Sequence, residues 1–232
     1  MHDQIIDTCV LISAGAEWRA FLPHFPQAVI SSTPFGETFT TKIGQIFVCF
    51  LHGGWGKVSA AASTQYAIDR WHPSRVINLG TCGGISGYAK RGEVVLARKT
   101  LIYDIFEAMS DSAAALDHYT VEFDLSWLPD PLPQPVTIDT LVSADRDIIP
   151  AQLPELVSRF KASYADWESG AIGWVASRNQ VPCLILRAVS DLVDESTGEA
   201  YENDAFFEAQ CKPIMESFAH HLPAWLEAFG WG

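Results

Sequence analysis

An α/β fold, a layered sandwich of strands and helices, follows from three features of the sequence. Apolar runs of strand length recur along the chain: TCVLIS at 8–13, QIFVCFL at 45–51, RVINL at 75–79 and CLILRAV at 183–189. Segments with helical spacing lie between them, the clearest being 58–71, where Val58, Ala61, Ala62, Tyr66, Ala67 and Trp71 share one face. Glycine and proline separate the two kinds of segment. Alternation of this sort builds a sheet covered by helices.

Each element can be taken in turn. The strand at 8–13 is broken by Ala14-Gly15 before a helix containing Glu17 to Leu22. Residues 38–43 and 45–51 form a hairpin with Gly44 in its turn. HGGWGK at 52–57 opens the helix 58–71, which Pro73 stops. The strand at 75–79 then runs into the turn Gly80-Thr81-Cys82-Gly83-Gly84, whose glycines permit close backbone approach to a ligand. Strands are expected at 93–97 and 100–103, an acidic excursion or flap at 104–126, and an extended connector at 127–136, which carries four prolines. Strand character resumes at 137–142, and a helix follows at 150–160. The stretch 165–194 holds a helix after Asp166-Trp167-Glu168 and a strand ending at Ser190-Asp191. A terminal helix spans 204–229, open to a break near Pro213 and Pro223. Because the alternation continues past the proline-rich connector, the whole chain, 1–232, reads as one domain.

Composition narrows the function. A chain of 232 residues, 48% of them hydrophobic, is long enough for one large core. A net charge of −13 argues against nucleic acid or an anionic membrane surface as the main partner and favours a neutral or cationic small molecule. The five cysteines are odd in number and widely spaced, so they suggest neither a disulfide framework nor a metal motif; they read as reduced core residues of a cytoplasmic protein. The N-terminus lacks a basic region followed by a long apolar one, and no run approaches the roughly 20 apolar residues of a membrane span.

Several residues could carry chemistry. Asp191, beyond a buried strand, is placed for partial desolvation and hence for general acid work; an isolated Asp there is more often a helix cap. Glu168 suits ribose hydroxyls or, equally, the first turn of a helix, and Glu17 divides between general base and first-turn carboxylate. Arg187 interrupts an apolar strand, so it calls for a carboxylate partner, with Glu17, Glu168 and Asp191 the natural candidates. Trp55 and Trp167 flank the same turns, as liners or as core. His52 and Lys57 read as structural, and neither glycine-rich turn fits a phosphate- or dinucleotide-binding motif.

Four segments in order carry a resemblance: VLISAGAEWRAFL, HGGWGKVSAA, VINLGTCGGIS and DWESGAIGWVASRNQVPCLILRAVSD. Together they resemble the 5'-methylthioadenosine/S-adenosylhomocysteine nucleosidases and, more broadly, the purine nucleoside phosphorylase superfamily. The resemblance implies a three-layer sandwich with a central mixed, twisted sheet flanked by helices, and hydrolysis of the N-glycosidic bond of a purine nucleoside, 5'-substituted or otherwise modified. It implies no cofactor and no metal, and a homodimer. By the same resemblance, Asp191 protonates the leaving base, Glu17 activates water and is positioned by Arg187, and Glu168 holds the ribose. Trp167 lies along the sugar, Thr81 and Ser190 fix water and Asp191, and Gly83, Trp55, Asp147 and Ile148 complete the substrate-binding set. Asp147 stands where the family places a base-stacking aromatic, which suits a base with extra donors. Asn78 stands where hexameric phosphorylases carry a phosphate-binding arginine, which favours water as nucleophile. Arg19 is the remaining phosphate candidate. A phosphorylase and a catalytically silent nucleoside-binding protein are the competing readings.

Overall fold

The computed structural model describes residues 5–229. Its centre is a ten-stranded mixed sheet made of β1 (Thr8–Ile12), β2 (Ser31–Ser32), β3 (Glu37–Ile43), β4 (Ile46–His52), β5 (Arg75–Ile85), β6 (Val94–Ile102), β7 (Val121–Glu122), β8 (Thr137–Ser143), β9 (Tyr164–Asp166) and β10 (Cys183–Val193). The helices are α1 (Gly15–Phe21), α2 (Gly56–Trp71), α3 (Ser112–His118), α4 (Leu153–Ser158), α5 (Ser169–Arg178) and α6 (Asp204–Ala228).

Strands β4, β1, β5 and β10 run parallel side by side. One face of this part is covered by α1 and α6, through Trp18, Phe21, Met215, Phe218 and Trp225 packed on Val10, Phe50, Ile77 and Leu186. The opposite face is covered by α2 and α5, through Ala60, Ala67, Ile172 and Val175 packed on Cys9, Leu11, Cys49 and Val76. Burial on both faces explains why β1 and β5 read as continuous apolar runs rather than as alternating ones. The result is the expected three-layer sandwich.

The sheet also closes on itself. Beyond β10 the order continues through β6 and β8 to β9, and β9 pairs back onto β5. Cys82, Val95, Leu141, Tyr164 and Ile185, one from each of the five strands, pack together in one cluster. Closure removes the open edge that β6 or β8 would otherwise expose.

Four elements differ from expectation. The glycine-rich segment 80–84 is not a turn but the second half of β5, paired to β10 throughout. Residues 93–97 and 100–103 form one strand, β6, with a register shift between Ala97 and Lys99. The strand expected to end at Ser190-Asp191 continues to Val193. Helix α6 runs unbroken through Pro213 and Pro223. Each proline costs roughly 3 kcal/mol in a helix interior, while Ile214, Met215, Phe218, Leu222 and Trp225 are buried, each contributing about 1.5–3 kcal/mol. The 104–126 excursion holds α3 and β7, and the 127–136 connector is free of regular structure.

Candidate active site

A cavity of about 380 Å³ lies at the carboxyl ends of β1, β5 and β10, the end at which open parallel sheets present groups to ligands. Of the residues singled out from sequence, Glu17, Trp55, Thr81, Gly83, Asp147, Ile148, Trp167, Glu168, Ser190 and Asp191 all line it. A larger surface depression of about 890 Å³ lies beside Tyr88 and Leu153; it contains none of these residues.

Three helix starts converge here, and each is tied by a carboxylate. Glu17 accepts from the backbone N of Ala14 at 3.1 Å, just ahead of α1, and reaches across to Thr81, whose backbone N and Oγ1 donate at 2.6 and 2.7 Å. Glu168 immediately precedes α5, yet its side chain turns away and accepts from the N of Gly56, the first residue of α2, at 2.9 Å. Asp166 takes the start of α5 instead, accepting from Ser169 N at 3.1 Å and also from the hydroxyls of Ser169 and Ser143. The free N–H groups and partial positive charge of helix N-termini favour carboxylates at these places.

Arg187 lies beneath the cavity rather than in its lining and is 0% exposed, so it acts through the groups it holds. Its Nε is 3.0 Å from Asp166 Oδ2 and donates to Ser169 Oγ at 3.0 Å. Nη1 donates to the carbonyl of Thr81 at 3.1 Å, and Nη2 to Asn78 Oδ1 at 2.9 Å. Glu168 is 3.4 Å away and Glu17 3.8 Å. The expectation of a carboxylate partner is met, but the main partner is Asp166, which sequence reasoning overlooked, and Asp191 is not among the partners. Asn78 is fully buried and committed to Arg187 and to the carbonyl of Leu11, so it does not face the cavity.

A β-bulge places Asp191. Val189 is level with Cys82 and Asp191 with Gly83, leaving Ser190 as the extra residue. Bulges re-aim side chains, and here the carboxyl of Asp191 is brought beside a residue that has no side chain. Ser190 Oγ donates to Asp191 Oδ1 at 2.6 Å and also lies 3.3 Å from the carbonyl of Cys82. Burial pushes the Asp191 carboxyl above the usual range; the Ser190 bond partly offsets this, and the charges of Glu199 and Asp147 add to it. Glu168 is pushed up to about 8, first by burial, with Arg187 opposing and Asp166 and Glu17 reinforcing.

Trp55 and Trp167 form a tilted pair with ring centroids 5.4 Å apart, and Trp55 is 67% exposed, so it is a rim residue and not core. Asp147 is exposed at the same mouth. The lining also includes Arg146, Tyr201, Glu202, Asp204 and Phe207, none singled out from sequence. In all, seven carboxylates face one arginine. His52 stacks on Trp18 at 5.6 Å, outside the cavity, and Lys57 is bound to Asp104. Arg19 pairs with Glu208 on the surface. Among the described residues no group of His, Cys, Asp and Glu is arranged to hold a metal.

Two curated relatives carry the name 5'-methylthioadenosine/S-adenosylhomocysteine nucleosidase. That of Buchnera aphidicola subsp. Schizaphis graminum is 26% identical over 187 residues, covering 72% of this chain and 76% of its own. That of Bacillus subtilis is 27% identical over 173 residues, covering 69% and 74%. A solved nucleosidase of the same name from S. pneumoniae, bound to a transition-state inhibitor, superposes with a TM-score of 0.76 at 20% identity, over 97% of this chain and all of that one. The family model described as Phosphorylase superfamily matches residues 9–129, more than half of the chain, and the protein belongs to that superfamily.

Proposed function

We propose that the protein is a nucleosidase, hydrolysing the N-glycosidic bond of a purine nucleoside that is 5'-substituted or otherwise modified. The nucleosidase relatives support the reaction class, and the observation that carries water rather than phosphate as nucleophile is the charge of the cavity. Even with Asp191 protonated as the acid and Glu168 neutral, five carboxylates against one lining arginine repel a phosphate dianion. Arg19, the remaining phosphate candidate, is engaged on the surface.

In this reading Asp191, whose hold on a proton burial strengthens, gives that proton to N7 of the base as the bond from C1' to N9 breaks and its electron pair moves into the ring. The sugar develops oxocarbenium character, which the surrounding carboxylates stabilise where the charge appears. Water adds to C1' and passes a proton to Glu17, whose carboxyl is fixed by Thr81 and Ala14. Glu168 receives ribose hydroxyls. Trp167 precedes Glu168, and Trp55, its ring partner, precedes Gly56, whose N donates to Glu168, which supports contact of the pair with the sugar and its 5' group. Asp147, Ile148 and Gly83 sit with Asp191 on the base side. Base release from a panel of purine nucleosides, followed by chromatography with and without phosphate, tests this; no release from any of them sinks it.

We also infer a homodimer, one domain per chain and a cytoplasmic setting. Trp55, Val58, Phe106 and Met109 are exposed large apolar residues, and Lys57 binds Asp104, which brings their two segments together. Contiguous exposed apolar groups mark interaction surfaces. One sheet takes its strands from Thr8 through Val193, and α6 packs back on it. All five cysteines are free thiols, which fits a reducing compartment. No helix among the described residues is long and apolar enough to cross a membrane. Sedimentation should give twice the chain mass, reduced to one by Met109→Glu; a monomeric parent protein counts against the dimer.

A further inference from the structure

Three buried carboxylates, Glu17 from α1, Asp166 from β9 and Glu168 ahead of α5, surround the single guanidinium of Arg187 at 3.8, 3.0 and 3.4 Å. One positive charge cannot neutralise three negative ones at positions this deeply buried, so the cluster is far easier to accommodate if one carboxyl holds a proton. Hydrogen bonding decides which one. Glu17 accepts from Thr81 N, Thr81 Oγ1 and Ala14 N. Asp166 accepts from the backbone and hydroxyl of Ser169 and from Ser143 Oγ, and it has the shortest contact with Arg187. Glu168 has one backbone donor, Gly56 N, and the long contact to Nη2. The Nε edge facing Asp166 also donates to Ser169 Oγ, while Nη1 and Nη2 donate to the neutral acceptors Thr81 O and Asn78 Oδ1. Glu168 is therefore the carboxylate with the least compensation for its charge.

We propose that Glu168 carries a proton in the ligand-free protein at neutral pH, and that Asp166 keeps it there by claiming the Nε edge of Arg187. Asp166 is thus a positioning residue for the carboxyl that faces the ligand. Burial and the neighbouring charges push Glu168 in the same direction. A consequence rests on the nucleosidase reading, in which ribose hydroxyls donate to Glu168. The ionised carboxylate is the better double acceptor, so nucleoside binding expels the proton to solvent and KM falls as pH rises through this ionisation, while kcat follows Asp191.

The protonation itself can be read without turnover. Infrared difference spectra between the parent protein and Glu168→Gln should show, at pH 7, the carbonyl stretch of one protonated carboxyl that is lost in the variant and fades on raising the pH toward 9. In Asp166→Asn that band should fade at lower pH, the proton being held at least about tenfold less tightly. Asp166→Ser, also a good helix-capping residue, should do the same if the Asn variant does not fold. Absence of a Glu168-dependent band at pH 7 overturns the proposal. So does a neutral Asp166 variant that loses activity while its band and its KM profile against pH stay in place, since that marks a purely structural role. If no purine nucleoside of the panel is turned over, the nucleosidase reading is at fault, and the spectra still decide where the proton lies.

Discussion

Burial without a matching cation governs the behaviour of Asp191. Desolvation raises its affinity for a proton, and Ser190, donating at 2.6 Å, fixes its orientation while leaving the other oxygen free for the cavity. Asp191→Asn keeps the shape and removes the acid, so kcat should fall by roughly 10²- to 10⁴-fold with an unchanged circular dichroism spectrum. A variant retaining full activity removes Asp191 from catalysis, and any base release that Asp191→Asn abolishes argues against a silent binding protein. The pH dependence has a definite sign: the protonated form is the active one, so kcat should decline as pH rises through the raised value. Truncating Arg187 would leave Glu17, Asp166 and Glu168 without their shared cation. Arg187→Met should therefore destabilise by about 3–5 kcal/mol, measured by urea denaturation; a loss under about 1 kcal/mol would mean that the cluster is already neutral without it.

Among the elements, β5 and β10 do most to assemble the site, and both were only half visible in the sequence. Their apolar halves, RVINL and CLILRAV, mark buried strands plainly. Their second halves, GTCGG and SDLV, carry glycine and polar residues that read as turns and ends, because nothing local reveals that the two segments pair with each other. Side-chain space explains the glycines. A Cβ built at Gly80 would lie 2.8 Å from Glu17 Oε1 and closer still to Arg187 Nη1. Gly80→Ala should displace the Glu17–Thr81–Arg187 contacts and lower kcat/KM by about 10²-fold; wild-type kinetics in that variant would show that the cluster tolerates movement. Asp166 escaped notice for a similar reason. A buried arginine signals that a carboxylate is near, but spacing along the chain does not say which one wins, and Asp166 wins through β9, a three-residue strand with no pattern of its own. Glu17, Glu168 and Asp191 were legible because each sits at the junction of a clear strand or helix. Tyr201 and Glu202, in the loop after β10, and Asp204, the first residue of α6, were not, since the path that brings them to the cavity is set by tertiary contacts.

At the scale of the whole molecule, the α/β alternation was enough to predict a layered sandwich, but the closed five-strand ring depends on registers that no local pattern encodes. The acidity of the chain, net −13, extends into the cavity, where helix starts and Arg187 hold Glu17, Asp166 and Glu168 in place. That arrangement links stability to pH. Glu168 titrates near 4.5 when unfolded and at about 8 when folded. Stability from this group is fully present in acid below the unfolded value. It drains away as pH rises to about 8, because the unfolded chain ionises first. The difference in melting temperature between the parent protein and Glu168→Gln should therefore shift in favour of the variant between pH 5 and 8, and a pH-independent difference would contradict it. The central claim, that water rather than phosphate attacks C1', is tested most directly by isotope. Turnover of 5'-methylthioadenosine in phosphate-free buffer made with ¹⁸O-water should release adenine and place one ¹⁸O on C1 of the sugar product. A reaction that stalls until phosphate is added, and then yields an unlabelled sugar 1-phosphate, would contradict it.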